Sequence, residues 1–287
     1  MKFIKNIVQK YKNSNIKKVF SDPFGMIGFA LVLGVLIIAI FAPHIAPCDP
    51  NKIDVLHKLS APSSKHIFGT DHLGRDILSR IIFGSRVVLK VSVLTISFGI
   101  LLGVFFGILA GYSSETVGNI FLVNFDIIKS FPPILFAMTI ISITGPNIWM
   151  LITIIGVTRF PSYARLIRAE TMRVKELDYV SAAKAIGAPS FSVMFKHILP
   201  NVVGAVFIQA AMDIPVVITY TATLSFLGLG VAPPTPSWGM IIKTGYSYIR
   251  SSPWMVIFGG LALILFTLGF TFLGESLRDN LDPKLQK

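Results

Sequence analysis

Residues 23–47 read PFGMIGFALVLGVLIIAIFAPHIAP, and residues 253–274 read PWMVIFGGLALILFTLGFTFLG. Neither stretch holds a single Asp, Glu, Lys or Arg. About 20 predominantly apolar residues cross the hydrocarbon core of a bilayer as a helix, and globular strands and core helices rarely need such runs. Both stretches therefore predict transmembrane helices. The rest of the chain agrees: of its 287 residues 53% are hydrophobic and 14% charged, against about 25% charged in soluble domains, and the mean hydropathy is +0.71. Working outward from the two runs, six spans are expected, at roughly 26–43, 88–111, 119–143, 147–165, 202–226 and 253–275. The third and fourth carry Asp126, Lys129 and Arg159 and turn at TGPN, 144–147, where Gly-Pro breaks the helix. The fold class is an all-α integral membrane protein.

The net charge of +12 does not point to nucleic acid, because the cations flank apolar spans instead of forming one basic face. Their distribution sets an orientation. Six lysines precede residue 20, seven Lys or Arg lie between Arg159 and Lys196, and three follow Gly274, sixteen in all on the side of the termini. Eight lie in the opposite segments: Lys52, Lys58, Lys65, Arg75, Arg80, Arg86, Lys243 and Arg250. Both termini are thus expected in the cytoplasm of a multi-pass protein of the cell membrane. The first span is too long for the apolar region of a cleaved signal, and Pro47 before Cys48 argues against a lipoprotein cleavage site. One cysteine excludes an intramolecular disulfide.

Between the fourth and fifth spans lies DYVSAAKAIGAPSFSVMFKHILPN, 178–201, a small-residue stretch amid apolar ones. Asp178 is expected to cap a helix ending near Ile186, with Gly187 at the left-handed position that follows a helix end. Ser190 is expected to cap a second short helix that stops at Pro200. Ala182, Ala183, Ala185 and Ile186 would give the first helix a surface of little bulk, suited to a groove on another protein.

This hairpin resembles the EAA loop of ABC importer permeases: Glu-Ala-Ala, three residues, Gly, nine residues, then Ile-x-Leu-Pro. Here Ser181-Ala182-Ala183, Gly187 and Leu199-Pro200 hold the matching places, with Ser181 for the Glu and His197 for the Ile. Both departures resemble the variant of the dipeptide/oligopeptide/nickel permease family. FGTDHLGRDILSRIIFGSR (68–86), LSFLGLGVAPPTPSWG (224–239) and LRDNLDPKL (277–285) are similar to the C-type subunit of that family. The resemblance implies an ABC type I importer permease fold with an N-terminal extra helix and external segment. It divides the chain into 1–86, a permease domain 87–276 that includes the coupling loop 176–201, and a tail 277–287. It implies that Asp178, Tyr179, Ser181, Ala182, Ala183, Gly187, His197 and Pro200 couple the chain to an ATPase. The implied partners are a second homologous permease, two ABC ATPase subunits, an extracytoplasmic solute-binding protein and membrane lipid. ATP-Mg would be bound by those ATPases, since the chain has no G-x-x-x-x-G-K-[S/T]. No cofactor and no enzymatic site of its own are expected. The implied cargo is a small peptide or a nickel or metal complex.

Ionisable residues within spans mark function or pairing. Asp213 lies about twelve residues into the fifth span, roughly 18 Å deep at 1.5 Å per residue, and is open to two readings: a side chain facing the solute path, or one buried or paired with a neighbouring span. Asp126 and Lys129, one turn apart, can pair with each other, with FPP at 131–133 as a hinge. Many members of the family carry a Glu where Thr221 stands. Asp126, Asp213 and Thr221 are the candidate path or gate residues. In the external segment 44–87, Asp76 can start an amphipathic helix suited to the interface, Trp238 and Trp254 fit the headgroup level, and VAPPTPSWG (231–239) reads as a rigid linker. Cys48, His57, His66 and His72 share that segment, but their spacing fits no ligand motif, so no metal site is expected there. The competing function is an ion-gradient-driven transporter, which would call for inverted repeats within the chain.

Overall fold

The computed structural model describes residues 22–281. The lysine-rich N-terminal segment and the end of the tail, on which the expected orientation partly rests, lie outside the described residues. Among the described residues the chain is helical, with one isolated bridge, Thr70 to Asp76, and no strand. The helices are α1 (Pro23–Ile40), α2 (Ala42–Ile45), α3 (Ile77–Tyr112), α4 (Glu115–Ser130), α5 (Pro133–Thr144), α6 (Ile148–Val174), α7 (Asp178–Ala185), α8 (Ser190–Ser192), α9 (Leu199–Phe226), α10 (Trp238–Ser247) and α11 (Trp254–Leu281). Among the described residues five helical spans are long and apolar enough to cross a membrane, and six if the bent pair α4–α5 counts as one.

That pair covers the expected third span, and its break falls at the FPP expected as a hinge. Phe131 and Pro132 separate two helices inclined by 75°. At 1.5 Å per residue neither helix alone covers the ~30 Å hydrocarbon core. Pro132 and Pro133 supply no N–H to a helix, so the backbone breaks and Pro133 starts α5 at a position where proline is tolerated. The amphipathic surface helix expected after Asp76 is corrected. It is the first part of the 36-residue α3, which runs on through Gly84 and Val88 without interruption. Gly84 is needed there for space: a Cβ would lie 2.7 Å from the Trp238 ring.

The chain divides into two compact units, one formed by the chain up to Lys90 with Ala211 onwards, the other by Val91–Ala210. In the first, α1 packs on α11 through paired glycines. A Cβ on Gly28 would lie 2.5 Å from the Leu273 backbone nitrogen, and one on Gly269 would lie 2.8 Å from Leu31 Cβ. Small residues of this kind let membrane helices approach where no hydrophobic effect drives them together. Val32, Ile77, Ile218, Met255 and Phe266 form its core. Trp238, expected at the interface, is instead buried in that core at 3% exposure. Its indole Nε1 donates to Ile81 O at 2.9 Å and its ring meets Phe266 edge-on. The proline-rich turn before it delivers the side chain inward, and the satisfied N–H removes the usual reason for a tryptophan to stay wet.

In the second unit a glycine stripe on α3 receives α6. Cβ atoms on Gly103, Gly107 and Gly111 would approach Tyr163 Cβ to 2.4 Å, Ala164 O to 2.6 Å and Thr171 Cβ to 2.6 Å. The four-residue spacing places all three on one face. Around this contact gather Ile108, Tyr163, Ile167, Val174, Val180, Val193, Ile198 and Val206, with Phe125 and Phe160 in a second cluster.

Candidate functional site

The hairpin between α6 and α9 lies wholly in the second unit, and its geometry follows from local rules. α7 begins directly after Leu177, whose carbonyl accepts from Val180 N at 2.9 Å and Ser181 N at 3.1 Å. Asp178 is therefore the first helical residue and not the cap that was expected. Its carboxylate in the first turn suits the positive end of the helix dipole. At the other end Ala188 N donates to Ala183 O and Gly187 N to Lys184 O, the paired bonds of a Schellman ending. Gly187 has φ +81°, while a Cβ there would touch nothing within 4 Å. Its glycine is thus required by backbone conformation and not by space.

The second half of the hairpin departs from expectation. Pro189 and not Ser190 precedes α8, and the chain then widens into a π-helical stretch, Val193–Ile198. Leu199 N donates to Met194 O, five residues back. Pro200 does not stop the helix; it is the second residue of α9. The wide turn accommodates a ring that would press on the Lys196 carbonyl in an α-turn, and the first turn of α9 has no use for the missing N–H.

Burial divides the hairpin residues into two sets. Val180 and Ala183 face inward, Ala183 at 6% exposure. This corrects the expectation that Ala183 belongs to the free, small-residue surface, because the helix turns it beside Val180 and onto the unit's core. Tyr179, Ser181, Ala182, Ala185 and Ile186 are exposed, Ile186 at 86%, and so is Phe191. Tyr179, Ala182 and Ile186 recur at the three- and four-residue spacing of one helix face. The Phe191 and Phe195 rings lie 4.4 Å apart. His197 contributes its backbone: its carbonyl accepts from Tyr179 Oη at 3.4 Å and from Asn201 Nδ2 at 2.8 Å, tying α7 to the start of α9. The hairpin thus presents an apolar ridge on a clamped support, a form suited to a groove in another protein.

The other sequence candidates lie elsewhere. Asp126 pairs with Arg165 of α6 and not with Lys129, because the α4–α6 packing around Phe125 and Phe160 brings the two helices together there. Asp213, in the first unit, is buried at 2% exposure. Thr221, two turns further along α9, is also buried, and its Oγ1 donates to Val217 O at 2.8 Å. Asp126 is exposed, so of the three it alone offers its side chain at the chain's surface.

The segment between α2 and α3 is knitted by its own backbone. Leu59 N donates to Asp71 O, and Thr70 N to Ser60 O. Gly74 turns at φ +77° so close to the Asp54 carbonyl that a Cβ would overlap it. Asp71 organises the charges: it accepts from Arg75 Nε at 2.7 Å and lies 3.8 Å from Arg80 Nε, while Arg80 Nη1 donates to Pro50 O at 2.9 Å. The His57 hydrogen bond holds the Asp54 carboxyl below its ordinary value. Burial lowers the His72 pKa, aided by the cationic Arg75, Arg80 and Lys58 and opposed by Asp71. One grouping was invisible in the sequence. Cys48 Sγ, a His66 ring nitrogen and an Asp76 carboxylate oxygen lie within 4.8 Å of one another, although 28 positions separate the first from the last. His57 and His72 do not join them; His57 bonds Asp54, and His72 stacks on Tyr248.

Comparison with known proteins gives two family matches. Residues 103–287 match the family described as binding-protein-dependent transport system inner membrane component, and residues 16–62 the N-terminal TM domain of oligopeptide transport permease C. The chain is similar to the dipeptide transport system permease protein DppC of Alkalihalophilus pseudofirmus, 34% identical over 94% of this chain and 89% of that one. It is similar to the di/tripeptide transport system permease protein DppC of Pseudomonas aeruginosa, 36% identical over 90% and 88%. A third relative is the glutathione transport system permease protein GsiD of Pectobacterium atrosepticum, 37% identical over 89% and 85%. Among solved structures, inward-facing MetNI methionine ABC transporter matches with a TM-score of 0.56 at 18% identity, over 70% of this chain and 96% of that one. At that identity the match speaks for the fold alone.

Proposed function

Because the chain belongs to the family of binding-protein-dependent transport system inner membrane components, we propose that it carries small peptides across the cytoplasmic membrane, moved by ATPases that are separate polypeptides. The observation that carries this reading is the hairpin Asp178–Asn201: a clamped support that presents Tyr179, Ala182, Ile186 and Phe191 away from its own core. A groove on a nucleotide-binding subunit that receives this ridge transmits its closure to α6 and α9, the helices on either side. ATP-Mg belongs to those subunits, and this chain performs no chemistry. A second, homologous permease supplies the other wall of the path, and an external binding protein delivers the solute. Both termini are cytoplasmic, as the Lys and Arg distribution favours.

The names of the relatives, given for dipeptides, di/tripeptides and glutathione, favour a peptide over nickel or a metal chelate. Asp126 with Arg165 is the gate candidate, since both side chains reach the surface where a partner permease or solute can meet them. Asp213 and Thr221 are buried in the first unit, and Thr221 bonds back onto its own helix at Val217 O.

The test is reconstitution of the chain with its partner permease, ATPases and binding protein in vesicles. Labelled dipeptide accumulates only with ATP, and Cys introduced by Ala182→Cys in a Cys48→Ser background crosslinks to an ATPase subunit. Concentrative uptake by the chain alone under an ion gradient, without nucleotide, would overturn the reading in favour of a secondary transporter.

A further inference from the structure

The loop Cys48–Pro50 lies against the start of α3, where three side chains of different chemistry converge. Cys48 N donates to Ser79 Oγ at 3.0 Å, and Ser79 Oγ and N both donate to Asp76 Oδ2, at 2.7 and 2.8 Å. Asp76 Oδ1 lies 2.9 Å from His66 Nδ1. Asp76 and His66 are buried, His66 at 7% exposure, and His66 Nε2 has no hydrogen-bond partner. Cys48 is half-buried and lines an open cleft of about 630 Å³ with Pro43, Pro47, Phe83 and Pro236. A thiol, an imidazole and a carboxylate thus meet within 4.8 Å, and the thiol among them lines a cleft.

We propose that Cys48, His66 and Asp76 form a binding site for a borderline divalent transition cation of the zinc class. Thiolate, imidazole and carboxylate are the three ligand types such ions accept. Ligands around one ion sit about 2.0–2.3 Å from it, so mutual separations of roughly 3.3–3.8 Å are needed. The His66 Nδ1–Asp76 Oδ1 pair opens from 2.9 Å to that range as the ion enters, and the half-buried Cys48 Sγ, within 4.8 Å of both, rotates in. The ion takes the place of the proton shared by His66 Nδ1 and Asp76 Oδ1. That proton moves to Nε2, the thiol gives its proton to water, and one proton is released per ion bound. A water from the cleft completes a four-coordinate shell. Ser79 holds the other Asp76 oxygen and the Cys48 backbone, the kind of outer support that orients ligands. Hard cations such as Mg²⁺ prefer oxygen-only shells and are rejected by the thiolate. The bound ion ties the loop before Pro50 to the root of α3 on the external segment, without bearing on which solute is carried.

Co²⁺ is the probe, read on the purified full-length chain in detergent. The chain has one cysteine, so a thiolate-to-cobalt charge-transfer band can come from no other residue. One equivalent of Co²⁺ should produce that band, Zn²⁺ should erase it, and Zn²⁺ but not Mg²⁺ should protect Cys48 from alkylation. Cys48→Ala should abolish the band and weaken Co²⁺ binding at least about tenfold, the lower end of what losing even an outer partner costs a metal site. An unchanged circular dichroism spectrum would show that this variant is folded. Absence of the band in the wild-type chain, its persistence in Cys48→Ala, or alkylation indifferent to Zn²⁺ would each overturn the proposal.

Discussion

Ile186→Ala separates docking from folding more sharply than any other change in the hairpin. In the isolated chain Ile186 is 86% exposed, so its side chain contributes almost nothing to the unit's own core. The substitution removes three carbons, each worth about 0.8 kcal/mol when buried. Seating half to all of them in a partner's groove makes the loss about 1–2.4 kcal/mol, or roughly 5- to 50-fold in Kd. Folding should change by no more than about 0.5 kcal/mol, as for other exposed positions. Val180→Ala reverses the pattern. Val180 is fully buried in the cluster around Val193 and Ile198, so about 2 kcal/mol is lost from stability, with little change in the exposed ridge. The two quantities are read separately: ATPase affinity by surface-immobilised binding, stability by thermal unfolding in the same detergent. ATP-driven uptake should fall with the Ile186 variant at limiting ATPase. An Ile186→Ala chain that binds the ATPase within twofold of wild type, or that unfolds as early as Val180→Ala, would refute the assignment of this face.

Three further outcomes are expected. Gly103→Ala would force α3 and α6 apart, since the new Cβ would lie 2.4 Å from Tyr163 Cβ. It should cost roughly 1–3 kcal/mol by thermal unfolding, whereas Gly34→Ala, with nothing within 4 Å, should be neutral or slightly stabilising. Asp71→Asn removes the anion beside Arg75 and the buried Arg80; the stranded charge should cost about 3–5 kcal/mol and open the segment between α2 and α3 to proteolysis. The His72 shift gives a signed pH effect. With the folded pKa below the ordinary 6.5, the unfolded chain takes up the proton first, so stability is lost as pH falls below 6.5. His72→Gln should flatten that part of the pH–stability curve.

Apolar runs made most of the helices legible, because a bilayer-crossing helix must satisfy its backbone internally and shows its requirement as a length. In the third span the sequence marks the place of the bend but not its size. Residues 119–143 are apolar throughout and FPP at 131–133 reads as a hinge, but that Pro132 and Pro133, by removing consecutive donors, turn the chain by 75° shows only in the folded structure. The stripe Gly103, Gly107, Gly111 was readable as a four-residue repeat on one face. It was missed because a hydropathy scan averages glycine into the span instead of asking what it touches. Trp238 was misplaced for a related reason. Its preference for an interface rests on an indole N–H that needs water, and the Ile81 carbonyl supplies the bond inside the core.

The hairpin shows where motif reading runs out. Spacing located it and predicted the left-handed Gly187, because that rule is local and the Schellman bonds need only the residues that carry them. Spacing could not divide Ala182 from Ala183. The two are chemically identical and differ only by one helical step, about 100° around the axis, so which faces the core depends on where α7 starts, and Leu177 fixes that start, not Asp178. Cys48, His66 and Asp76 are the extreme of the same problem. Their convergence depends on Ser79 gripping both the Cys48 loop and the Asp76 carboxylate, a tertiary fact with no trace in spacing. Motifs built from neighbouring residues are visible in one chain read end to end. Sites assembled by a hydrogen bond across 31 positions are visible only after the chain has closed on itself.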